Sequence, residues 1–143
     1  MLVIAAPFFY GLRSYTLSPS AKYPGIRSFA PALVYNGAWL DLDNAMAWVN
    51  AHARPADLVV SSVPGWVYLN TGHRAIMPPF EDGRAVQDRL LDSTGARFVI
   101  VETMQGTSMT SDYLQGVLVP PKWELCLGQP DSTIRVYERV ANN

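Results

Sequence analysis

Residues 48–79 read WVNAHARPADLVVSSVPGWVYLNTGHRAIMPP, and the order of signals within them decides the fold. The stretch opens in the last turns of a helix. Leu42, Ala45, Met46, Val49 and Ala53 recur at three- and four-residue spacing, Asp41 or Asp43 is placed to cap the start, and Pro55 bars continuation. Asp57 then opens Leu58-Val59-Val60-Ser61-Ser62, an apolar run bounded by polar residues, which is the pattern of a strand buried on both faces. Pro64 suits the first position of a second helix, and Trp66, Val67 and Leu69 continue it until Gly72, a good terminator. His73–Met77 is the next strand, stopped by Pro78-Pro79. Strands alternating with helices in this way build parallel sheets.

Working outward, the residues between Gly83 and Thr94 predict a helix with Val86, Leu90 and Leu91 inward, and those from Arg97 to Glu102 predict its strand. A Gly- and Ser/Thr-rich loop, Thr103 to Thr110, leads to a short helix from Ser111 to Leu118, closed by Pro120-Pro121. Two further strands, Trp123 to Leu127 and Thr133 to Arg139, are joined by Gly128-Gln129-Pro130-Asp131-Ser132, turn chemistry that links antiparallel neighbours. Ile134, Val136 and Val140 alternate with Arg135, Tyr137 and Arg139, so this last strand is expected at the edge with one wet face. Trp39 and Trp48 are expected to anchor the first helix against the sheet. The predicted fold class is α/β: three layers, with a mainly parallel sheet and a C-terminal antiparallel hairpin edge.

At 143 residues the chain has room for one core, placed here in a single domain over 39–143. Its hydrophobic content of 49% with only 16% charged residues is rich beside the roughly 25% charged usual for soluble domains, so some apolar surface is expected to meet a partner or a membrane. A net charge of −1 and a pI near 6.0 give no electrostatic footing for nucleic acid. Cys126 is the only cysteine, which excludes an internal disulfide. Residues 1–12, MLVIAAPFFYGL, are apolar but short of the roughly 20 residues that span a bilayer, and they lack the basic start of a secretory signal. They read as the end of a truncated transmembrane helix with Phe8, Phe9 and Tyr10 at interface depth. Residues 13–38, with scattered Pro, Ser and Tyr and no sustained period, read as a linker.

Sequence signatures of chemistry are sparse. No Gly-x-Gly-x-x-Gly, Walker-type loop or Gly-x-Ser-x-Gly is present. His52 and His73 are the only histidines, too few for a histidine-built metal site, and neither a metal nor another cofactor is expected. Ser61 and Ser62 fall at the carboxyl end of the first strand, where open α/β sheets bind ligands and where His73 is able to approach them. Capping of the Pro64 helix explains the serines without catalysis. Glu81-Asp82 read as a solvated loop capping the Gly83 helix, since adjacent residues point apart. If a ligand is held, Tyr68, His73, Arg74 and Asp82 are the candidate binding residues, an aromatic face with cationic and anionic groups that suits sugars and phosphates.

Ala47-Trp48-Val49-Asn50-Ala51-His52-Ala53-Arg54-Pro55-Ala56-Asp57-Leu58-Val59-Val60-Ser61 resembles a helix-to-strand block in the soluble C-terminal domains of multi-spanning membrane glycosyltransferases, the protein mannosyltransferase and aminoarabinose transferase group. Val67-Tyr68-Leu69-Asn70-Thr71-Gly72-His73-Arg74 is similar to their Val-Tyr-Leu-x-(Ser/Thr)-Gly-Arg segment, with His73 in place of the usual Arg. Ala96–Val101 and Val136–Val140 are similar to two of their strands. The resemblance covers about residues 40–140. It implies an accessory extracytoplasmic domain, partnered by a membrane-embedded glycosyltransferase portion or a lipid surface, in an enzyme that moves sugar from a polyprenyl- or dolichyl-phosphate carrier to an acceptor. The family's catalytic carboxylate lies in the membrane portion, so no residue here inherits a catalytic role. A free-standing α/β domain binding a small ligand where Ser62, Glu102 and the loops after them converge is the other reading.

Overall fold

A computed structural model of the chain describes residues 37–104 and 106–140. The expected membrane-helix end at 1–12 and nearly all of the 13–38 linker lie outside the described residues. The chain divides after Leu40, and the unit Asp41–Asn143 carries the sheet and its helices.

Helix α1 (Gly37–His52) starts a turn earlier than the sequence predicts. Neither Asp41 nor Asp43 caps it. Its buried stripe of Leu42, Ala45, Met46 and Val49 also takes in Asp43, 4% exposed, because position 43 falls on the inward side once the helix begins at Gly37. Burial raises the Asp43 pKa, and the Trp66 indole N–H opposes that rise. At the other end His52 donates from Nδ1 to the Trp48 carbonyl (2.7 Å) and stacks on the Trp48 indole.

Strand β1 (Leu58–Val60) leads to helix α2 (Pro64–Thr71), with Pro64 in its first turn. Gly72 ends the helix at φ 75°, a left-handed conformation that spares only glycine a steric penalty, and donates to the Tyr68 carbonyl. Strand β2 (Arg74–Ile76), helix α3 (Arg84–Thr94), strand β3 (Phe98–Glu102), helix α4 (Met109–Leu114), strand β4 (Trp123–Leu127) and strand β5 (Ile134–Arg139) follow. Helix α4 is shorter and earlier than the expected 111–118 span.

The five strands form one sheet in the order β2-β1-β3-β5-β4. β1 pairs in parallel with β2 (Leu58 opposite Arg74) and with β3 (Val60 opposite Val99). β5 pairs antiparallel with both β3 (Ile100 opposite Val136) and β4 (Trp123 opposite Arg139). The sheet is therefore parallel at one end and antiparallel at the other, not mainly parallel. β5 is interior and β4 holds the edge, the reverse of the sequence expectation. The arginines that imitate a wet face are absorbed: Arg135 is buried and donates to the Pro130 carbonyl, and Arg139 lies 4.5 Å over the Trp123 ring.

Alternate residues of β3 serve different neighbours. Val99 and Val101 pack with Val60, Leu91 of α3, Leu114 of α4 and Trp123, while Phe98 meets Trp48 of α1 edge to face at 6.1 Å. Of the three inward positions expected on α3, Leu91 is fully buried and Val86 and Leu90 are half-buried. Leu91→Ala is expected to lower unfolding free energy by about 2–5 kcal/mol in urea titration. Leu69→Ala, at a position 78% exposed, is expected to change it by less than ~0.5 kcal/mol.

Candidate functional site

The chain leaves β1 toward β2 on one side, then returns across it to β3 on the other. The connections after β1 and β3 thus part company, and the gap at their carboxyl ends is where open α/β sheets receive ligands. In this protein the gap is filled by the chain's own polar side chains.

Glu102, the last residue of β3, is 0% exposed. The Ser61 hydroxyl donates to its Oε1 at 2.5 Å, and the Thr110 hydroxyl and the Ser62 N–H donate to its Oε2. Ser61 Oγ in turn accepts the Val63 N–H at 3.0 Å. Thr110 Oγ1 accepts the Glu102 N–H at 3.1 Å, and Ser62 Oγ accepts the Thr110 N–H at 2.9 Å. With Thr110's proton given to Glu102, the 3.1 Å contact between the Ser62 and Thr110 hydroxyls is donated by Ser62. With Glu102 ionised, each proton has one place to go. The cluster ties the β1–α2 connection, the end of β3 and the first turn of α4 into one unit.

The serines are accordingly not helix caps. Val63 occupies the cap position of α2 and makes no side-chain cap bond into the helix; the Ser61 hydroxyl meets the Val63 N–H and spends its own proton on Glu102, and the Ser62 hydroxyl goes to Thr110. Nor does His73 approach them. It precedes Arg74, which pairs with Leu58 at the amino end of β1, whereas Ser61 follows the carboxyl end. Four residue steps along the strands, about 13 Å, separate the two levels. Ser61, 0% exposed, is out of reach of any substrate, so the Ser61–Glu102 pair serves as a structural bond and not as a nucleophile with its base. The expected cap of α3 by Glu81 or Asp82 is also missing: Gly83 holds that position without a side-chain bond, and Gln87 instead donates to the Glu81 carbonyl at 2.8 Å.

The four candidate ligand residues fall in different places. Tyr68 is 58% exposed on α2. His73 is buried and Arg74 is exposed, both at the amino end of β2, where Arg74 donates to the Ala56 carbonyl at 3.2 Å. Asp82 is exposed in the connection that leaves the opposite end of β2.

The amino end of the parallel strands holds a charged cleft of about 560 Å³ whose walls include Arg54, Asp57, Arg97, Glu124 and Glu138. Arg97 forks between Asp57 Oδ2 (2.7 Å) and Glu138 Oε1 (2.7 Å). Partial burial acts to raise the Asp57 pKa, but the Arg54 N–H and the Arg97 guanidinium hold it below its ordinary value. Burial and the facing Glu138 and Glu124 push the Cys126 thiol up, away from the reactive thiolate. Among the described residues no group of His, Cys, Asp and Glu is arranged to hold a metal ion.

Burial pushes the Glu102 pKa above the ordinary glutamate value of 4.5, with the Ser61, Thr110 and Ser62 donors opposing it. A carboxyl that is harder to ionise in the folded chain contributes stability that is full below the unfolded value and is lost as pH rises through the folded one. Glu102→Gln removes that titration. The stability of the natural chain relative to this variant is expected to decline as pH rises above 4.5; a gap that widens with pH means the site favours the ionised form. Thr110→Val, which strands a buried carboxylate oxygen, is expected to cost about 1–3 kcal/mol in the same titrations.

No protein-family model matches the chain, and no curated protein does. Among solved structures, the chain is similar to the C-terminal globular domain of an oligosaccharyltransferase from Archaeoglobus fulgidus, at 10% identity and a TM-score of 0.45, over 74% of this chain and 99% of that one.

Proposed function

We propose that residues 39–143 form an accessory domain, not catalytic by itself, of a membrane glycosyltransferase that takes sugar from a lipid-phosphate carrier. The domain lies on the extracytoplasmic side, and catalysis resides in a membrane-embedded portion. The resemblance to the C-terminal domains of that enzyme group motivates the reading, and one observation carries it. Within the segment Val67–Arg74 that bears the resemblance, Val67 is buried and Gly72 stops the helix, as any such fold needs, yet Tyr68 and Leu69 stand 58% and 78% exposed. Packing does not require an aromatic and an aliphatic side chain to stand together in water. A surface that rests against the membrane portion or a lipid surface does.

The division of β3 side chains between Trp48 of α1 and Leu91 and Leu114 of the later helices supports a three-layer arrangement. The same geometry weakens the free-standing ligand-binding reading, because the crevice that reading needs is closed by Glu102 and its donors. Tyr68, His73, Arg74 and Asp82 remain the residues proposed to meet a lipid-linked sugar or acceptor, each in the assembled enzyme.

The test is transfer of sugar from a polyprenyl-phosphate carrier, assayed in membranes holding the assembled enzyme. The chain alone is expected to be inactive, deletion of 39–143 is expected to lower transfer, and the nucleotide sequence ahead of Met1, or an adjacent gene, is expected to encode hydrophobic spans. Transfer by the chain alone, or no encoded membrane portion, overturns the reading.

A further inference from the structure

The connections that leave β2 and β3 meet in an apolar patch that the fold consumes only in part: Tyr113 is half-buried against the core, and Phe80 and Met109 stand exposed beside it. Phe80, in the β2–α3 connection, is 51% exposed and sits edge to face against Tyr113 of α4, centroids 5.5 Å apart and planes at 85°. Met109, 40% exposed, opens the same helix four residues before Tyr113, a spacing that puts the two side chains on one face. The patch stands on a fixed base. Thr110, between them, is bonded to Glu102 and Ser62, and Gln87 holds the Glu81 carbonyl.

Its rim is acidic. Glu81 and Asp82 follow Phe80 directly and Asp112 lies between Met109 and Tyr113, and all three are exposed. Ser108 donates to one oxygen of Asp112 at 2.8 Å. The nearby Arg84 is turned toward the far end of α4, where it lies along Gly116. An aromatic pair beside an adaptable methionine, ringed by carboxylates, accepts an aliphatic side chain in its middle and cations at its border or over its ring faces.

We propose that this patch docks a basic, apolar segment of a partner polypeptide, seated on Phe80, Met109 and Tyr113, with lysine or arginine meeting Glu81, Asp82 and Asp112. The carboxylates repel the anionic headgroups of a bilayer, which excludes a lipid surface as the occupant. Arg97, Arg139 and Lys122 of a second copy are already engaged by Asp57, Glu138, Asp88 and Asp92, and self-association of the chain that Glu81→Lys with Asp82→Lys abolishes overturns the proposal. The proposal goes beyond the glycosyltransferase reading and shares only Asp82 with it, so its test reads peptide binding and not sugar transfer.

The probe is a short fluorescent peptide alternating lysine and leucine, with a second in which glutamate replaces lysine, titrated into the full chain by anisotropy. The lysine peptide is expected to bind more tightly, and more weakly as salt rises. Phe80→Ser is expected to weaken it about tenfold, close to 1.4 kcal/mol. The double substitution Glu81→Lys with Asp82→Lys, both at solvated positions, is expected to turn preference toward the glutamate peptide and does not depend on how Phe80→Ser folds. Equal binding of the two peptides overturns the proposal, as does affinity untouched by both variants. Co-flotation of the chain itself with phosphatidylglycerol vesicles in the absence of peptide, abolished by Phe80→Ser, puts lipid on the patch and also overturns it.

Discussion

A carboxylate with no access to water fixes the centre of this protein. Glu102 sits at the end of the strand that touches both the parallel and the antiparallel halves of the sheet, and burying it is tolerable only because the surroundings supply Ser61, Ser62 and Thr110 as donors. Those donors come from stretches 48 residues apart in the chain. Their agreement on one carboxyl group therefore specifies how the β1–α2 connection and α4 sit relative to β3, which hydrophobic packing of valines and leucines leaves loosely defined. The same cluster closes the crevice in which proteins of this architecture bind small molecules. A single constraint thus sets the local structure and moves any recognition to the outer surface.

At the opposite end of the strands the charges work differently. Arg97 bridges Asp57 and Glu138, and Arg139 and Lys122 converge on Asp92. These groups are partly solvated, so the pairs add little to stability, and their effect is on register: Arg97 joins the entry to β1 with the end of β5. Lys122 and, to a smaller extent, Arg139 keep Asp92 below its ordinary pKa despite some desolvation. The helix end they anchor belongs to α3, whose Leu91 carries the core contact.

Much of the architecture is legible in the sequence, because its signals are local. Pro64 and Gly72 delimit α2, the β-branched run after Asp57 marks β1, and the Gly128–Ser132 turn joins β4 to β5 as a hairpin. The errors share a cause in contacts between distant residues. Ser61 and Ser62 read as caps because the carboxyl group they serve lies far along the chain, and Thr110 carries no signal at all until β1 and β3 are known to be neighbours. Arg135 and Arg139 read as a wet face because sequence does not reveal that their stems and heads find partners inside. Asp43 reads as a cap because its burial depends on where α1 begins. Tyr68 and Leu69 are apolar residues in a helix, and only the structure shows that they face outward.

The role of the Glu102 cluster is tested most directly by hydrogen exchange at the backbone amides it engages. The N–H groups of Ser62, Val63 and Thr110 end on Glu102, Ser61 and Ser62 side chains and belong to no strand or helix ladder. If the cluster is the joint that holds the fold, these amides exchange as slowly as Val99 to Val101 in β3 and through the same global opening. Exchange as fast as that of an amide open to water contradicts it, and returns the carboxyl end of the sheet to the status of an openable site.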